Sequence, residues 1–431
     1  MATETWNAQG EAPPALHAPQ YSRLLPPNAK RGLDDHLDWY GGLPETKPAL
    51  LGEIERAGLR GKGGARFPTA TKLAAVAKQG RRAVVVANGT EGEPASTKDV
   101  VLMSHAPHLV LDGAVVAAEI VGASEVILCV KRGSAVQPIL ERALRERAAS
   151  GYDAVPIRVV GAPNRYVSGE ETSLVQWLNG GDAKPMFVPP RPFERGVAGR
   201  PTLVQNVETL GDLALVARFG AAWFRSAGTE KDPGTTLVTL SGAVTKPGVC
   251  EVPLGSRLGD VLRIAGADCR DLSGVLVGGY FGAWLTPDRA AAVPLGVDDL
   301  KRAGGGLGAG IIVAMPERGV CPLDELARAT RWLADQNAGQ CGPCVNGLDA
   351  IAGAVQELVH GDRSHDAEKH LRRWLGMMEG RGACKHPDGV ARFVGSGLAV
   401  FAAEIERHRR NGPCAPGGTR ILPTPRTGGW R

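Results

Sequence analysis

Residues 82–94 have the sequence RAVVVANGTEGEP, and this stretch decides the fold. The run 83–87 is short, apolar and rich in β-branched residues, which is typical of a buried strand. The chain continues with alternating elements: helix 107–121, strand EVILCV at 125–130, helix 135–149 and strand VPIRVV at 155–160. Strands that alternate with helices predict an α/β fold, in which a mainly parallel sheet has helices on both faces.

The length of 431 residues exceeds what one hydrophobic core usually supports, so several domains are expected. Composition changes near residue 235, where two short strands and a helix indicate a small mixed β/α module. The last hundred residues carry apolar faces at helical spacing, and a four-helix bundle is their simplest packing. The predicted organisation is an extended arm 1–45, an α/β domain 46–232, a small module 233–300, a helical bundle 301–410 with helices at 322–335, 347–359, 366–378 and 389–408, and a flexible tail 411–431.

The bulk composition excludes several functions. Fifty basic and 45 acidic residues give a net charge of only +5, and no basic stripe is interleaved with aromatics, so nucleic acid is not expected as a partner. No apolar run reaches the length of about 18 residues that crosses a bilayer, so no direct membrane insertion is expected. The start of the chain lacks a secretory signal. Eight cysteines without a disulfide pattern favour thiolate ligation or redox chemistry, and the prediction is a cytoplasmic protein.

A glycine loop precedes a predicted helix. The sequence GLRGKGGARFP at 58–68 packs glycines and cations in front of TATKLAAVAKQ at 69–79. Backbone N–H groups freed by glycine, a helix N-terminus and cations together favour an anion such as phosphate. The loop is neither a P-loop nor a dinucleotide-binding fingerprint. A solvated glycine turn with incidental charge is the alternative.

Two acidic loops follow predicted strands. The loop NGTEGEP at 88–94 comes at the carboxyl end of the first strand, and GEET at 169–172 follows the strand 155–160. Carboxylates and amides at that edge of a sheet suit the hydroxyls of a ribityl or ribose chain. Polar surface turns and helix caps are the alternatives.

The cysteines divide into two groups. Cys341-Gly-Pro-Cys344, with Cys384 forty residues later, suits metal ligation, or alternatively a thioredoxin-like dithiol. The preceding RATRWLADQ has a helical pattern, whereas the dithiol motif normally follows a strand. We expect small buried side chains at other positions: Cys129, Cys250 and Cys269. The nine histidines form no pair at i, i+4, so the sequence does not indicate a zinc site.

Together these segments resemble the NADH-oxidising flavoprotein subunit of respiratory complex I and the related diaphorase subunits of NAD-linked hydrogenases and formate dehydrogenases. The resemblance extends over about residues 48–410 and is carried by ordered motifs: GLRGKGGARFPT (58–69), NGTEGEP (88–94), KD (98–99), YVSGEETSL (166–174), GRPTLVQNVETL (199–210) and CGPC (341–344). It implies an enzyme that is an FMN-dependent NAD(P)H oxidoreductase subunit. It also implies a parallel-sheet flavin domain, a ubiquitin-like β-grasp domain and a four-helix iron–sulfur bundle.

The resemblance also implies roles for individual residues. Those expected around the flavin are Gly61, Gly63, Gly64 and Lys72 at the phosphate and ring, Asn88 and Glu91 at the ribityl chain or ring, Tyr166 and Gly169 at the isoalloxazine, and Asn206 at the phosphate end. Those expected beside the nicotinamide nucleotide are Phe67, Glu93, Glu170 and Glu171, of which Glu93 and Glu171 are the catalytic candidates. Hydride passes from NADH to FMN, and single electrons then pass to an iron–sulfur centre and a ferredoxin-like or thioredoxin-like 2Fe-2S partner subunit.

The sequence departs from the family pattern at several nucleotide-site positions. The departing residues are Arg66 for glycine, Thr90 for aspartate, Gln205 for asparagine, Arg200 for lysine, and Ala75 where some members have an aromatic. Arg66 suggests an extra phosphate, as NADPH would supply, although NADH remains the leading donor. A noncatalytic homologue that acts as a binding scaffold is the alternative function.

The iron–sulfur motif departs at one ligand. Ala338 replaces the first cysteine, which leaves Cys341, Cys344 and Cys384 for a 4Fe-4S cluster that usually takes four thiolates. A helix over 322–335 would hold Cys321 roughly 20 Å away at ~1.5 Å per residue, so Cys321 is a poor substitute. The fourth ligand stays open among several side chains: Asp335, Asn337, His386 and Cys414. A bound cluster is favoured over an empty site because three spaced cysteines have no evident packing purpose.

Overall fold

The computed structural model describes residues 15–16, 22–27, 32–80, 82–415 and 419–431. Within these ranges, one sheet has four strands that are all parallel, and we call it the parallel sheet. From edge to edge its strands are Ile157–Ala162, Ala123–Lys131, Ala83–Gly89 and Thr202–Asn206. The predicted α/β fold with a parallel sheet is confirmed.

The parallel sheet has helices on both faces because its strands are apolar on both sides. Val85 and Ala87 point into the core that contains Leu210, whereas Val84 shares the core on the other face with Leu174. This alternation follows from the two-residue period of a strand. The helices of this region are Leu33–Tyr40, Leu50–Ala57, Thr69–Ala77, Lys98–His105, Pro107–Val121, Val136–Ala149, Glu171–Leu178 and Val207–Arg225, the last with a break at Gly220.

Among the helices of the described ranges, none alone has the length and apolar composition that a membrane crossing needs. Lys98–His105 and Pro107–Val121 pass the length and composition test only as a pair, bent by 97°. Burial accounts for the apolar character of Pro107–Val121, since nearly all of its side chains are covered.

A second sheet, the mixed sheet, contains six strands in the described part of the chain. In spatial order these are Ala15–Leu16, Gly248–Pro253, Thr235–Gly242, Ile311–Pro316, Leu272–Val277 and Ala283–Leu285. Three short helices accompany it: Leu258–Ile264, Pro287–Ala292 and Val297–Arg302. The mixed sheet continues past the predicted limit at residue 300, because Ile311–Pro316 is a buried central strand that pairs with a neighbour on each side.

The C-terminal part of the chain is helical, as predicted. Its helices are Pro322–Asp335, Leu348–Val359, Asp366–Met378, His386–Val400 and Ala402–Asn411. The single helix expected over 389–408 is divided at Phe401, where φ is −99° and ψ is 23°. The side chain of Phe401 is buried in the core of this region, so the break also anchors the chain.

The described parts of both predicted terminal segments include residues packed against the rest of the chain. The arm 1–45 contains the helix Leu33–Tyr40, and the backbone N–H of buried Leu24 donates to Glu251 over 2.9 Å. In the predicted tail, Ile421 and Leu422 are buried against the helical region. Leu24 packs in the core that includes the parallel sheet, and Ile421 and Leu422 pack in the core of the helical region. The remaining residues of the two predictions, 1–14, 17–21, 28–31 and 416–418, lie outside the described residues.

Candidate functional site

The three predicted loops meet at the carboxyl edge of the parallel sheet. Asn88 and Asn206 are register partners on neighbouring strands. The side-chain amide of Asn88 donates to the Gly169 carbonyl over 2.8 Å, and that of Asn206 donates to the Asn88 carbonyl over 3.5 Å. A ligand at this edge would therefore contact the loops that contain Asn88 and Gly169.

The glycine loop folds back on itself and faces open space. The Gly61 N–H donates to the Phe67 carbonyl over 2.9 Å, which closes the loop. A Cβ at Gly63 would lie 3.2 Å from the Asn206 Cβ, so the loop lies against the carboxyl edge of the parallel sheet. Gly64 has φ +120° and a Cβ there would meet nothing within 4 Å. The backbone at Gly64 thus borders a cradle that a side chain would fill.

Two cations of the glycine loop point inward. The Lys62 ammonium is buried, donates to the Thr235 carbonyl over 2.6 Å and lies 3.6 Å from Asp212. Arg66 is also buried, at a φ of +52°, and its guanidinium donates to the Thr236 hydroxyl over 3.4 Å. Burial lowers the pKa of both side chains. Neither cation faces solvent, so the suggestion that Arg66 binds an extra phosphate is not supported by its position.

The accessible flank carries a different cation. The Lys72 ammonium lies 2.8 Å from the Glu171 carboxylate, and both side chains are partly exposed. Phe67 is 52% exposed although it is a large apolar residue. An exposed aromatic side chain and a partly exposed ion pair are both surfaces that an incoming nucleotide could cover.

Glu93 is partly buried and lies between two tyrosines. One carboxylate oxygen accepts hydrogen bonds from the Tyr166 hydroxyl at 2.8 Å and from the Tyr280 N–H at 3.1 Å. The other oxygen is buried without a partner among the described residues. Burial raises the pKa of Glu93 to about 7, against the lowering effect of these hydrogen bonds. This carboxyl group can exchange a proton near neutral pH.

Two other predicted acidic residues cap helices. Glu91 accepts from the N–H groups of Asp99 and Val100, both at 3.0 Å. Glu170 accepts from the first N–H groups of the helix 171–178 at 2.9 and 3.1 Å. Burial raises the pKa of Glu170. These carboxylates hold the loops against the helix N-termini, which is the helix-cap alternative stated above.

A buried charge network beneath the loops was missed at the sequence level. The Lys98 ammonium lies 2.6 Å from Asp99 and 2.8 Å from Glu208. The second oxygen of Asp99 accepts from the Asn206 amide over 2.7 Å, which fixes the Asn206 side chain. Burial raises the pKa of Asp99 to about 7. The available signal was the pair of carboxylates in the otherwise apolar helical stretch VETLGDLALV at 207–216.

Three cysteines of the helical region form one group. Cys344 is buried, and its pKa is raised by burial and then by the neighbouring thiols of Cys341 and Cys384. The backbone of Ala338 lies near enough to the Cys344 sulfur to lower its pKa slightly against these effects, so the position of the missing ligand adjoins the group. The motif follows the helix Pro322–Asp335 and not a strand, which disfavours the dithiol alternative. The three cysteines expected in the core are buried: Cys129, Cys250 and Cys269.

Tyr166 joins this cysteine region to the acidic loop. Its ring packs edge-on against Trp332 and His386, with centroids 5.4 and 5.7 Å apart. His386 follows Cys384 by two residues, and its Nε2 donates to the Leu333 carbonyl over 2.9 Å. Tyr166 therefore contacts both Glu93 and the segment that carries a cysteine of the group.

Cys414, one of the candidate fourth ligands, has other partners. Its sulfur lies 3.3 Å from His408 Nε2 and 3.5 Å from Glu404 Oε1. Cys321 belongs to the same group, with its sulfur 3.4 Å from His408 Nε2. Cys414 is thus engaged with Cys321, Glu404 and His408 instead of extending the group around Cys344.

Comparisons with known proteins match both halves of this site. Residues 54–214 match the Nuo51 FMN-binding domain, and residues 324–408 match the iron–sulfur binding region of NADH-ubiquinone oxidoreductase-F. The chain is 33% identical to the F subunit of the Mycobacterium bovis NADH-quinone oxidoreductase, covering 90% of this chain and 95% of that one. It is 30% identical to the corresponding Streptomyces coelicolor protein, with 95% of each chain covered.

Solved structures agree with the sequence relatives. A chain of an NAD⁺-reducing [NiFe]-hydrogenase in the air-oxidised state superposes with a TM-score of 0.80 at 30% identity, over 95% of this chain and 70% of that one. The H₂-reduced state gives a TM-score of 0.74, and there this chain spans 62% of the hydrogenase chain. The chain therefore belongs to the family of NADH-quinone oxidoreductase F subunits.

Proposed function

We propose that this protein binds FMN where the three loops meet, oxidises NADH there, and passes electrons one at a time to an iron–sulfur cluster. The observation that carries the proposal is the convergence of Gly63, Asn88, Gly169 and Asn206 on one edge of the parallel sheet. FMN accepts a hydride as an electron pair and releases the electrons singly, and this is the chemistry the protein itself cannot supply.

The chain fits FMN through its backbone more than through its charges. The open cradle at Gly64 offers backbone to a phosphate, and the Gly61 and Gly63 segment holds that backbone in place. Asn206 is positioned by Asp99 at the phosphate end, and Asn88 at the ribityl end is held by Gly169. In this proposal Glu91 acts indirectly, since its carboxylate caps the helix that presents Asp99.

The dinucleotide enters over the accessible flank. Phe67 offers an apolar face for the nicotinamide, and the ion pair of Lys72 with Glu171 borders the entrance. Glu93 and Glu171 are the proposed catalytic carboxylates, and Glu93 holds or releases a proton beside the site near pH 7. The buried position of Arg66 supports NADH as the donor in preference to NADPH.

The cysteine group fits three corners of a 4Fe-4S cluster. Cys341, Cys344 and Cys384 supply three thiolates, and Ala338 supplies no side-chain ligand, so one iron is left to a ligand other than cysteine. The Tyr166 ring lies between the acidic loop and this group. In this proposal Tyr166 links the flavin site to the segment that carries Cys384.

We propose finer assignments for the architecture. The hairpin of Thr235–Gly242 with Gly248–Pro253, followed by the helix Leu258–Ile264, supports a ubiquitin-like β-grasp module. The C-terminal helices support a four-helix bundle whose last member is broken at Phe401. The domain limits proposed from the sequence need one change, since the small module extends to the strand Ile311–Pro316.

The relatives of this chain are components of larger assemblies, and we propose a partner on that basis. The curated relatives carry the name of the F subunit of NADH-quinone oxidoreductase. Single-electron output calls for a one-electron acceptor, and a ferredoxin-like or thioredoxin-like 2Fe-2S protein is the partner proposed for that role. A cytoplasmic location is supported by the cysteines, since no disulfide joins them in the described residues.

Anaerobic purification with visible spectroscopy tests the proposal. We expect yellow protein whose flavin absorbance is bleached by NADH, together with iron, sulfide and an electron paramagnetic resonance signal after reduction. Colourless protein that fails to take up added FMN would support the scaffold alternative. Reduction of insulin disulfides that survives flavin removal would support dithiol exchange at Cys341 and Cys344.

A further inference from the structure

A second group of metal-binding side chains lies outside the proposed flavin and cluster sites. It consists of Cys321, Glu404, His408 and Cys414, and one ligand atom from each lies within 4.8 Å of every other. Cys321 precedes the helix Pro322–Asp335, Glu404 and His408 are one turn apart on Ala402–Asn411, and Cys414 follows that helix. Three separate elements of the chain therefore contribute to one point.

The spacing of the ligand atoms matches tetrahedral zinc. Zinc bonds of about 2.3 Å to sulfur and about 2.0–2.2 Å to nitrogen or oxygen require S···N and S···O separations of about 3.6 Å and an N···O separation of about 3.4 Å. The two sulfurs lie 3.4 and 3.3 Å from His408 Nε2, and 3.8 and 3.5 Å from Glu404 Oε1. His408 Nε2 lies 3.3 Å from Glu404 Oε1.

The imidazole is oriented as a ligand. His408 is fully buried, and its Nδ1 donates to the Val359 carbonyl over 2.7 Å. That bond places the proton on Nδ1, so Nε2 presents its lone pair to the two sulfurs and the carboxylate. A backbone carbonyl that fixes the second nitrogen in this way is the usual support of a zinc-bound histidine.

The charge of the group also suits a divalent cation. Two thiolates, one carboxylate and a neutral imidazole carry three negative charges, which a divalent ion reduces to one. Arg407 supplies the remaining positive charge, since its guanidinium donates to Glu404 Oε2 at 2.8 Å and to the Cys414 sulfur at 2.6 Å. Sulfur and imidazole donors favour zinc over calcium or magnesium, which take oxygen ligands.

We propose that Cys321, Glu404, His408 and Cys414 hold a structural Zn²⁺ ion. Four protein ligands close the coordination sphere and leave no position for a substrate. The ion joins the start of one helix to the end of another and fixes Cys414, which precedes the segment that packs Ile421 and Leu422 against the helical region. A search for histidine pairs in the sequence misses this site, because the i, i+4 pair is Glu404 with His408.

Metal analysis and cobalt substitution of the full chain test the site. Reduced, anaerobically purified protein should contain about one zinc per chain in addition to iron. After zinc removal, one equivalent of Co²⁺ should give visible d–d bands and thiolate-to-cobalt charge transfer. Wild-type protein that lacks zinc and gives no such bands overturns the proposal without any variant.

Matched variants separate this site from the cluster cysteines. C321S and H408Q should either lose the thiolate–cobalt bands or show shifted bands and at least a 10-fold weaker affinity for Co²⁺. C344S and the control C269S should keep the wild-type bands. Bands that disappear in C344S and persist in C321S would overturn the assignment. A Cys321–Cys414 disulfide in protein kept reduced throughout, detected by mass spectrometry, would also overturn it.

Discussion

The loops around the flavin edge and the cysteine group of the helical region each depart from the family pattern, but with different consequences. Thr90 stands where aspartate is usual, and its hydroxyl still donates to Asn88 over 2.8 Å. Gln205 lies within a parallel strand, where its backbone pairs with Ala87 whatever its side chain. Ala338 instead removes a ligand atom. A site built from backbone tolerates substitution, whereas a site built from side-chain donors does not.

The largest effect is expected at the cysteine group, which is built from side-chain ligands. C344S removes one of three thiolates, so we expect loss of the iron–sulfur signal and at least a 100-fold slower reduction of an external one-electron acceptor. Reduction of bound FMN by NADH should persist. Iron content, electron paramagnetic resonance and stopped-flow flavin bleaching measure the three quantities. Equal loss of flavin reduction would contradict the separation of the two halves.

The reverse substitution sharpens the same comparison. A338C restores a thiol beside Cys344, because the backbone of Ala338 already reaches the Cys344 sulfur. We expect a higher iron and sulfide content after purification and slower cluster loss in air. C269S serves as the control for handling of a free thiol. Unchanged cluster content in A338C would mean that a different residue completes the site.

Glu93 lies where the two halves touch, and its effect depends on pH. Its pKa is about 7 in the folded protein against an ordinary value of 4.5, so the folded state retains a proton that the unfolded chain releases. Its contribution to the free energy of unfolding therefore falls as pH rises from about 4.5 to 7 and is constant above that. Between pH 5 and pH 8, the free energy of unfolding of wild type should therefore fall by about 2–3 kcal/mol relative to that of E93Q.

Denaturation of both proteins at the two pH values measures this difference. Glutamine keeps an oxygen that accepts from Tyr166 and Tyr280, so packing is retained. E119Q, at an exposed position, is the control and should show no pH-dependent difference. Parallel pH profiles of E93Q and wild type would mean that Glu93 is ionised throughout the range.

The same contrast explains what could be predicted from sequence. Apolar periodicity located the strand Ala83–Gly89 and the helix Pro107–Val121, because local pattern and burial agree there. The local pattern does not show which sheet contains the central strand Ile311–Pro316, since its pairing is non-local. Cys321 and Cys414 lie 93 positions apart in the sequence, and only tertiary packing brings them together. Pattern identifies elements and motifs, whereas contacts between distant segments depend on the whole fold.

A substitution at Gly64 tests the loops around the flavin edge, where the site is built mainly from backbone. G64A places a Cβ in the open cradle at a φ of +120°, so we expect FMN affinity to fall about 10-fold, equivalent to about 1.4 kcal/mol, with the cluster retained. G180A is a matched control, because Gly180 also has a positive φ, +89°, and open space around its Cβ. Flavin titration of the apoprotein measures the affinity. Equal weakening in both variants would indicate general backbone strain.

The smallest expected effect concerns the accessible flank. The Lys72–Glu171 pair is partly exposed, and such pairs contribute about 0.2–1 kcal/mol, so K72M should raise the KM for NADH roughly 2–5-fold with little change in kcat. K47M removes a lysine from a far more exposed pair with Glu45 and should leave both constants unchanged. Steady-state kinetics with a one-electron acceptor measures them. A fall in kcat without a change in KM would instead place Lys72 at the reacting flavin and not at the nucleotide entrance.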